Sequence, residues 1–145
     1  MIRTVLAVAV LAFGATTLVA QNDPIAARKA LMKGNGDQNK IATQMLEGKQ
    51  PFDLAAAKKV LLSFAEAGEK APALFPDDSK TGGDTAALPA IWENKADFQA
   101  KLAKFAQESK AASNATNDLD SFKIQITEVR KNCGGCHQTY RKRTS

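Results

Sequence analysis

The stretch Leu119–Tyr140, LDSFKIQITEVRKNCGGCHQTY, carries apolar residues and cysteines at alternating spacings of three and four. Such spacing places side chains on one face of an α-helix. The positions on this face are Leu119, Phe122, Ile126, Val129, Cys133, Cys136 and Tyr140. Either Asn117 or Asp118 is a suitable N-cap. The stretch therefore predicts a long helix whose core-facing stripe includes both cysteines of the chain.

Cys133, Cys136 and His137 form a C-x-x-C-H pattern in the second half of this helix. The pattern is typical of covalent haem attachment, in which the thiols add to the porphyrin vinyl groups and the histidine ligates the iron. Residues three and four apart share a helix face, so the three side chains can reach one porphyrin. We expect one covalently bound haem c with its ring inside the fold, near the end of the last helix.

Other uses of two cysteines are less consistent with the sequence. A structural zinc site uses four Cys or His ligands, but the chain has two cysteines and one histidine. A redox C-x-x-C pair is expected within a βαβ pattern, and no stretch has the alternation of a strand. A haem-free helical module closed by a Cys133–Cys136 disulfide is the alternative that stays open.

The N-terminal segment has the features of a secretory signal peptide. Arg3 precedes an apolar run from Val5 to Phe13, and small residues continue to Ala20. A membrane anchor is the alternative, but the run is shorter than the ~20 apolar residues that a spanning helix needs. We expect cleavage after Ala20, export to a bacterial periplasm, and no membrane span in the mature chain.

Residues 21–145 are enough for one domain with one core. Removing Arg3 leaves 19 Lys and Arg against 15 Asp and Glu, a net charge of +4. This moderate excess suits an acidic protein partner. No stacking aromatic platform or nucleic-acid motif accompanies the charge, so the sequence gives no indication of nucleic-acid binding.

A first helical segment is predicted before the long connection of the chain. It begins at Asp23-Pro24, an N-cap followed by proline at the first helical position, and ends at Glu47 with Gly48 as the stop. Gly34-Asn35-Gly36 lowers the helix propensity in the middle of this segment, by about 1 kcal/mol for each glycine. Glycines at such a point also suit close approach to a flat ring.

Two more helical segments follow. Pro51-Phe52-Asp53 predicts the start of the second, which is expected to end near Gly68. Residues 70–89 are rich in proline and glycine and predict one long connection, with Leu74 and Phe75 packed back on the fold. The third segment is expected from near Pro89 to about Ser113.

Four amphipathic helices without strands predict an all-α fold, an antiparallel four-helix bundle. Its large apolar side chains are expected to form the core rather than to relay electrons. The core candidates discussed for this reason are Phe64, Trp92, Phe98 and Tyr140.

The order of motifs resembles that of a known family. Cys133-x-x-Cys136-His137-x-x-Tyr140-Arg141 lies on the last of the four helices, and in this it resembles the class II cytochromes c, the cytochrome c′ family. Shorter pieces extend the resemblance over the mature chain: Arg28-x-x-x-Met32, Gly48-Lys49-Gln50-Pro51-Phe52-Asp53, Leu74-Phe75-Pro76 and Ile91-Trp92. The resemblance implies a bundle with the haem motif at its C-terminal end.

The resemblance also bears on the sixth coordination position of the iron, at which members of the family differ. The residue of this chain at the matching position is Met32. Some members bind nitric oxide or carbon monoxide at a five-coordinate iron, whereas members with a methionine ligand are low-spin electron carriers. After residue 20 only Met32 and Met45 are thioethers, and they lie about 140° apart around a helix, so both cannot face one iron. Met45 is expected in the core. Packing without ligation is the alternative for Met32.

Two arginines match basic residues that lie near the haem in the family. The resemblance implies that Arg28 approaches a propionate, which a guanidinium fork can bind; an exposed helix arginine is the alternative. Arg141 lies four residues after His137 and so on the same face. Its alternative role is to stabilise the helix C-terminus through the macrodipole.

The expected function is a periplasmic monohaem electron carrier with His137 and Met32 as axial ligands. A five-coordinate protein that binds nitric oxide or carbon monoxide, with Met32 unligated, is the alternative. Basic residues near the haem end can orient an acidic redox partner; the candidates are Lys29, Lys33, Arg130 and Lys131. No constellation for acid, base or nucleophilic catalysis accompanies the motif, so an enzyme is not expected. The sequence leaves open whether two copies pair as a homodimer.

Overall fold

The computed structural model describes residues 23–143 and folds them as an antiparallel four-helix bundle, as predicted. Its helices are α1 (Pro24–Leu46), α2 (Leu54–Lys70), the single turn α3 (Ala90–Glu93), α4 (Lys95–Ala115) and α5 (Leu119–Tyr140). Within these residues the only β-pairing is an isolated antiparallel bridge between Ala87 and Arg141. The predicted signal peptide lies outside the described residues. No helix between residues 23 and 143 has the length and apolar character needed to cross a membrane.

Both ends of α1 follow local signals that the sequence contains. The Asp23 carboxylate accepts hydrogen bonds from the backbone N–H groups of Ile25 and Ala26, at 2.8 and 3.2 Å. At the other end Gly48 has a φ of 67°, and the N–H of Lys49 reaches back to the Gln44 carbonyl at 2.9 Å. This is the glycine-dependent C-cap of a Schellman motif. The helix ends at Leu46, one residue before the predicted end.

Gly68 lies inside α2, two residues before its end, so the predicted end near Gly68 is close to the observed one. The helix begins after the N-cap Asp53 as predicted, and it continues to Lys70. A Cβ at Gly68 would lie 2.8 Å from the Leu102 carbonyl oxygen and 2.9 Å from the Ala106 Cβ, both on α4. Gly68 is therefore the point where α2 crosses closely over α4, and its lack of a side chain serves packing.

The predicted third helix is two elements. The one-turn α3 and the long α4 are separated at Asn94, whose backbone leaves the helical region with φ −122° and ψ 48°. The Trp92 indole N–H donates to the carbonyls of Phe75 and Pro76, at 3.2 and 3.1 Å. These bonds attach α3 to the long connection. The single turn α3 is therefore held by that connection and does not continue into α4.

The last helix begins with a capping box. The Asp118 carboxylate accepts from the Ser121 N–H at 2.8 Å, and the Ser121 hydroxyl accepts from the Asp118 N–H at 3.0 Å. The predicted stripe is buried at Phe122, Ile126, Val129 and Tyr140. It is not buried throughout, because Leu119 in the first turn is 39 % exposed and Cys133 is also exposed.

The interior consists of two separate apolar clusters. The first joins α1, α2, α4 and α5 through Ala42, Met45, Ala57, Val60, Leu61, Phe64, Ala112, Phe122, Ile126 and Val129. The second lies towards the other end of the bundle and contains Ala71, Phe75, Ile91, Phe98, Leu102 and Tyr140. The core roles predicted for Phe64, Phe98, Tyr140 and Met45 are confirmed, as is the packing of Leu74 and Phe75; Trp92 is half-buried against the second cluster.

The C-terminal end of α5 is attached at two places. The Tyr140 hydroxyl donates to the Asp97 carboxylate on α4 at 2.5 Å. The backbone also pairs with the long connection, where the Leu88 N–H donates to the Tyr140 carbonyl at 3.0 Å and the Lys142 N–H to the Ala86 carbonyl at 2.8 Å. The end of α5 is thus fixed relative to both α4 and the connection.

We expect Gly68→Ala to lower the free energy of unfolding by about 1–3 kcal/mol, because the new methyl overlaps a backbone oxygen that cannot move independently. Guanidinium denaturation measures the change. Gly34→Ala is the control, since a Cβ there has no atom within 4 Å and the change should stabilise α1 by up to about 1 kcal/mol. Equal stability of the Gly68→Ala protein and the wild type would contradict the close crossing.

The hydrogen bond to Asp97 raises the pKa of Tyr140 to about 12, with smaller contributions from burial and the carboxylate charge. Loss of the phenol proton would leave two negative groups in contact, which is why the neutral form is favoured. Asp97→Ala should move the midpoint back towards the ordinary value of about 10. Carbon-13 NMR of tyrosine labelled at Cζ reports this group alone, because the chain has one tyrosine. An unchanged midpoint in the variant would show that the carboxylate is not the cause.

Candidate functional site

The two cysteines and the histidine lie in the last two turns of α5. Cys133 is exposed, Cys136 and His137 are half-buried, and both cysteines are free thiols. Burial raises the pKa of both thiols above the ordinary value. At neutral pH they therefore carry their protons, in the form that can add as S–H across a double bond.

The environment of His137 favours the neutral imidazole. Burial lowers its pKa, and the charge of Arg141 lowers it further. Neither ring nitrogen has a hydrogen-bond partner among residues 23–143. A neutral ring with an available nitrogen is the form in which histidine binds a metal.

On α1 the two methionines have opposite environments. Met45 is 1 % exposed in the first cluster, whereas Met32 is 37 % exposed. The one polar contact to the Met32 sulfur comes from Nδ2 of Asn35, at 4.0 Å. The side chain of Met32 is therefore not part of the protein core, and its thioether is available to a ligand.

Met32 and His137 lie in helix segments that contain no fully buried side chain, although Leu31, Ile41 and Cys136 pack partly against the apolar clusters. No residue from 29 to 41 of α1 is fully buried, and none from 130 to 139 of α5. The two apolar clusters lie on either side of these segments along the bundle. An apolar group placed between the segments would make the interior continuous, which is what a porphyrin attached to Cys133 and Cys136 would do.

The register of the two helices places Met32 level with His137. Arg130 on α5 bonds to Asn39 on antiparallel α1, with 2.7 Å between Nε and Oδ1. Met32 lies seven residues before Asn39, and His137 lies seven residues after Arg130. Seven residues advance about 10.5 Å along a helix and return to nearly the same face. The thioether and the imidazole therefore occupy matching heights on the faces that meet at the Arg130 contact.

Glycines next to both side chains leave room for a ring. Gly36 is one turn after Met32 and Gly134 is one turn before His137. A Cβ at either position would meet no atom within 4 Å outside its own helix. At these two positions the helices present no side chain towards a ring.

Two thiols and an imidazole on α5, with a thioether on α1, are the residue types that fit a covalently attached haem with a histidine and a methionine ligand. The same residues do not resemble a hydrated or structural cation site. Residues 23–143 contain no group of three or more His, Cys, Asp or Glu side chains that could hold a metal ion without a porphyrin.

Arg28 is buried beside this site but is held by the long connection. Its two terminal nitrogens donate to the Leu74 carbonyl, to the hydroxyl and carbonyl of Ser79, and to the Thr85 hydroxyl, at 2.7–3.2 Å. Its guanidinium carbon also lies 4.9 Å from the centre of the Phe75 ring. Arg28 thus fastens α1 to the connection one turn before Met32. Its contact with a propionate stays a prediction, for which Nε is the nitrogen without a protein acceptor in the described region.

The other basic residues of interest are mostly paired within the chain. Lys29 pairs with Asp84, Lys33 with Asp37, and Lys131 with Glu128. Arg141 is exposed, and its effect on the His137 pKa places its charge near the ring. A role of these residues towards a partner stays a prediction.

Sequence reasoning missed Asn39 and Thr43, which accept hydrogen bonds from Arg130 at 2.7 and 2.8 Å. Both lie on the face of α1 that carries Met32. The sequence did contain one signal, namely that these two polar residues share a helix face with Met32. Their partner could not be identified without the packing of α1 on α5.

Known proteins match this chain over most of its length. The family model described as Cytochrome C' matches residues 23–141. A curated relative, cytochrome c′ from Rhodopseudomonas palustris, is 47 % identical over 132 residues, covering 91 % of this chain and 90 % of the relative. A second, cytochrome c-556 from the same organism, is 32 % identical over 145 residues and 97 % of each chain.

The solved structures show the same architecture. The chain superposes on cytochrome c′ from Rhodopseudomonas palustris with a TM-score of 0.82 and 47 % identity, covering 86 % of this chain and 100 % of that one. Fold, motif position and sequence identity thus agree over the whole described region. The chain belongs to the cytochrome c′ family, whose members bind a covalently attached c-type haem with iron.

Proposed function

We propose that this chain is a periplasmic electron carrier whose single haem is held in the low-spin state by His137 and Met32. The observation that carries the proposal is the position of the Met32 thioether. It is 37 % exposed on α1, and equal seven-residue spacings from the Arg130–Asn39 bond imply that it lies at about the height of His137. A methionine that served only the core would be packed as Met45 is.

The cysteines attach the cofactor to a rigid element. Cys133 and Cys136 are one turn apart on α5, and both would hold the haem through thioether bonds, each formed by adding one S–H across a vinyl group. The addition leaves two thioether bonds with no gain or loss of electrons. Because His137 follows Cys136 directly, attachment also fixes the imidazole beside the ring.

His137 and Met32 then set the chemistry of the site. The haem, when bound, supplies an iron that accepts and releases one electron. A thioether opposite an imidazole favours the ferrous state and raises the reduction potential. Both ligands lie within long helices, α1 and α5, so little movement of the protein is needed when the charge changes.

We also propose the domain arrangement expected from the sequence, a signal peptide at residues 1–20 followed by one cytochrome domain at residues 21–145. The match begins at residue 23, just after the proposed signal peptide of residues 1–20. We place the domain, residues 21–145, in the periplasm after cleavage. We also propose an electron carrier and not an enzyme, because His137 and Met32 leave no open iron position.

The proposed partner is a redox protein with an acidic surface. Arg141, Lys142 and Arg143 are exposed at the end of α5, close to the attachment site, and the chain after residue 20 has a net charge of +4. Such a charge favours encounter with acidic surfaces at low salt. Pairing of two copies stays a hypothesis, for which the exposed Leu54 and Leu62 on α2 offer apolar surface.

A five-coordinate protein that binds nitric oxide or carbon monoxide is the second candidate. This second function is favoured because few protein contacts fix the Met32 side chain. Its sulfur has one distant polar contact, and the residue is not part of the first apolar cluster. In that case the thioether lies beside an open iron position.

The absorbance spectrum of the purified holoprotein distinguishes the two functions. We expect sharp reduced bands that do not shift under carbon monoxide, because Met32 occupies the sixth position. A broad high-spin spectrum that shifts with the gas would support the second candidate. A colourless folded protein without a Soret band would contradict both.

Met32→Ala tests the ligand directly. We expect the low-spin spectrum to become high-spin and carbon monoxide to bind in a 1:1 ratio. The side chain is partly exposed, so the fold should tolerate the change. Met45→Leu is the matched control, since it replaces the core methionine with a residue of similar volume and should leave the spectrum unchanged. A low-spin spectrum in Met32→Ala would rule out this ligand.

A further inference from the structure

We infer that Arg130 is a positioning residue that sets the register between α1 and α5 and so holds Met32 opposite His137. The inference rests on the proposed function where it concerns ligation of the iron. The register itself is a property of the protein chain. It can therefore be tested whether or not Met32 binds the metal.

Arg130 connects α5 to two successive turns of α1. Its Nε donates to Oδ1 of Asn39 at 2.7 Å, and its Nη2 donates to the Thr43 hydroxyl at 2.8 Å and to the Asn39 carbonyl at 3.3 Å. The planar guanidinium has its donors in a fixed arrangement. Bonding to two points one turn apart therefore defines both the height and the rotation of α1 relative to α5.

Few other contacts can define the height and the rotation of α1 relative to α5 near Met32 and His137. Residues 29–41 of α1 include no fully buried side chain, and Leu31 and Ile41 pack against the apolar clusters while partly exposed, so apolar packing positions this segment less firmly than the rest of α1. At the N-terminal side Arg28 fastens α1 to the long connection and not to α5. Towards Met32, the Arg130 contact is the nearest direct hydrogen-bonded link between α1 and α5 in the described region.

A small error in register would displace the sulfur. Moving α1 by one residue changes the height of Met32 by about 1.5 Å and its direction by about 100°. Either change would move the Met32 sulfur away from its position level with His137, and so would weaken its hold on a haem iron bound there. With the Arg130–Asn39 bond as observed, Met32 lies seven residues from Asn39 and His137 lies seven residues from Arg130, in the same direction along the bundle.

This role differs from the one that the sequence suggested for Arg130. As a basic residue at the haem end it was expected to orient an acidic partner. Its guanidinium is half-buried and used within the chain, whereas the neighbouring Lys131 is exposed and pairs only with Glu128 on its own helix. Lys131 therefore provides a control with the same change in charge.

The experiment compares four variants of the holoprotein with the wild type. Arg130→Ala removes the link, and Arg130→Lys keeps the charge but cannot reach both acceptors. Lys131→Ala controls for charge. Gly68→Ala controls for lost stability, because it disturbs the α2–α4 crossing at Leu102 and Ala106 and leaves the hydrogen bonds between α1 and α5 in place. Proton NMR of the Met32 methyl group, which the iron shifts strongly, reports the position of that side chain, and the rate of carbon monoxide binding reports how readily it leaves the iron.

We expect Arg130→Ala to move the methyl resonance and to raise the carbon monoxide rate roughly tenfold, the change for about 1.4 kcal/mol lost with a charged hydrogen bond. Arg130→Lys should fall between this variant and the wild type. Lys131→Ala and Gly68→Ala should match the wild type in both measurements.

Two results would overturn the inference. One is an Arg130→Ala protein with the wild-type methyl shift. The other is an equal shift in Gly68→Ala, which would attribute the effect to stability alone. A high-spin wild type would instead contradict ligation by Met32, and the methyl shifts of the variants would still decide the role of Arg130.

Discussion

The packing of α1 against α5 is the constraint on which the site depends. In the proposed site α1 supplies the Met32 thioether and α5 supplies the two thiols and the imidazole, so the site requires these two helix segments to face each other at one height. Arg130, Asn39 and Thr43 provide a directional contact across that pair. Apolar packing alone is not directional and would allow α1 to slide.

The rest of the bundle keeps this pair in place. One apolar cluster fixes α1 and α5 beyond the link, around Met45 and Phe122, and the second fixes the end of α5 through Tyr140. Arg28 and Asp97 add polar contacts to the second cluster, at the long connection and at α4 respectively. The segments between the clusters are left to the cofactor. This division explains how a small bundle can be stable and still offer an apolar interior space.

Much of this arrangement could be predicted because it depends on local chemistry. Asp23, Gly48, Asp53 and Asp118 act through hydrogen bonds or backbone angles within a few residues, and the helix ends were placed closely from them. The pattern at Cys133, Cys136 and His137 likewise follows from spacing along one helix. The family that this pattern indicated is confirmed by the comparisons.

Other features depend on contacts between distant residues and were not predictable in the same way. Gly68 looked like a helix end, but its meaning comes from Leu102 and Ala106 on α4. The break at Asn94 follows from the attachment of Trp92 to the long connection. Arg130 was recognised only as a surface charge, because Asn39 lies 91 residues earlier in the chain.

X-ray absorption at the iron edge of the ferric holoprotein tests the central claim most directly, since it reports the atoms bound to the metal. If α1 presents Met32 to the iron opposite His137, the spectrum must contain a sulfur ligand in addition to the nitrogens. A shell of nitrogen ligands without sulfur would contradict this arrangement of the two helices around the iron.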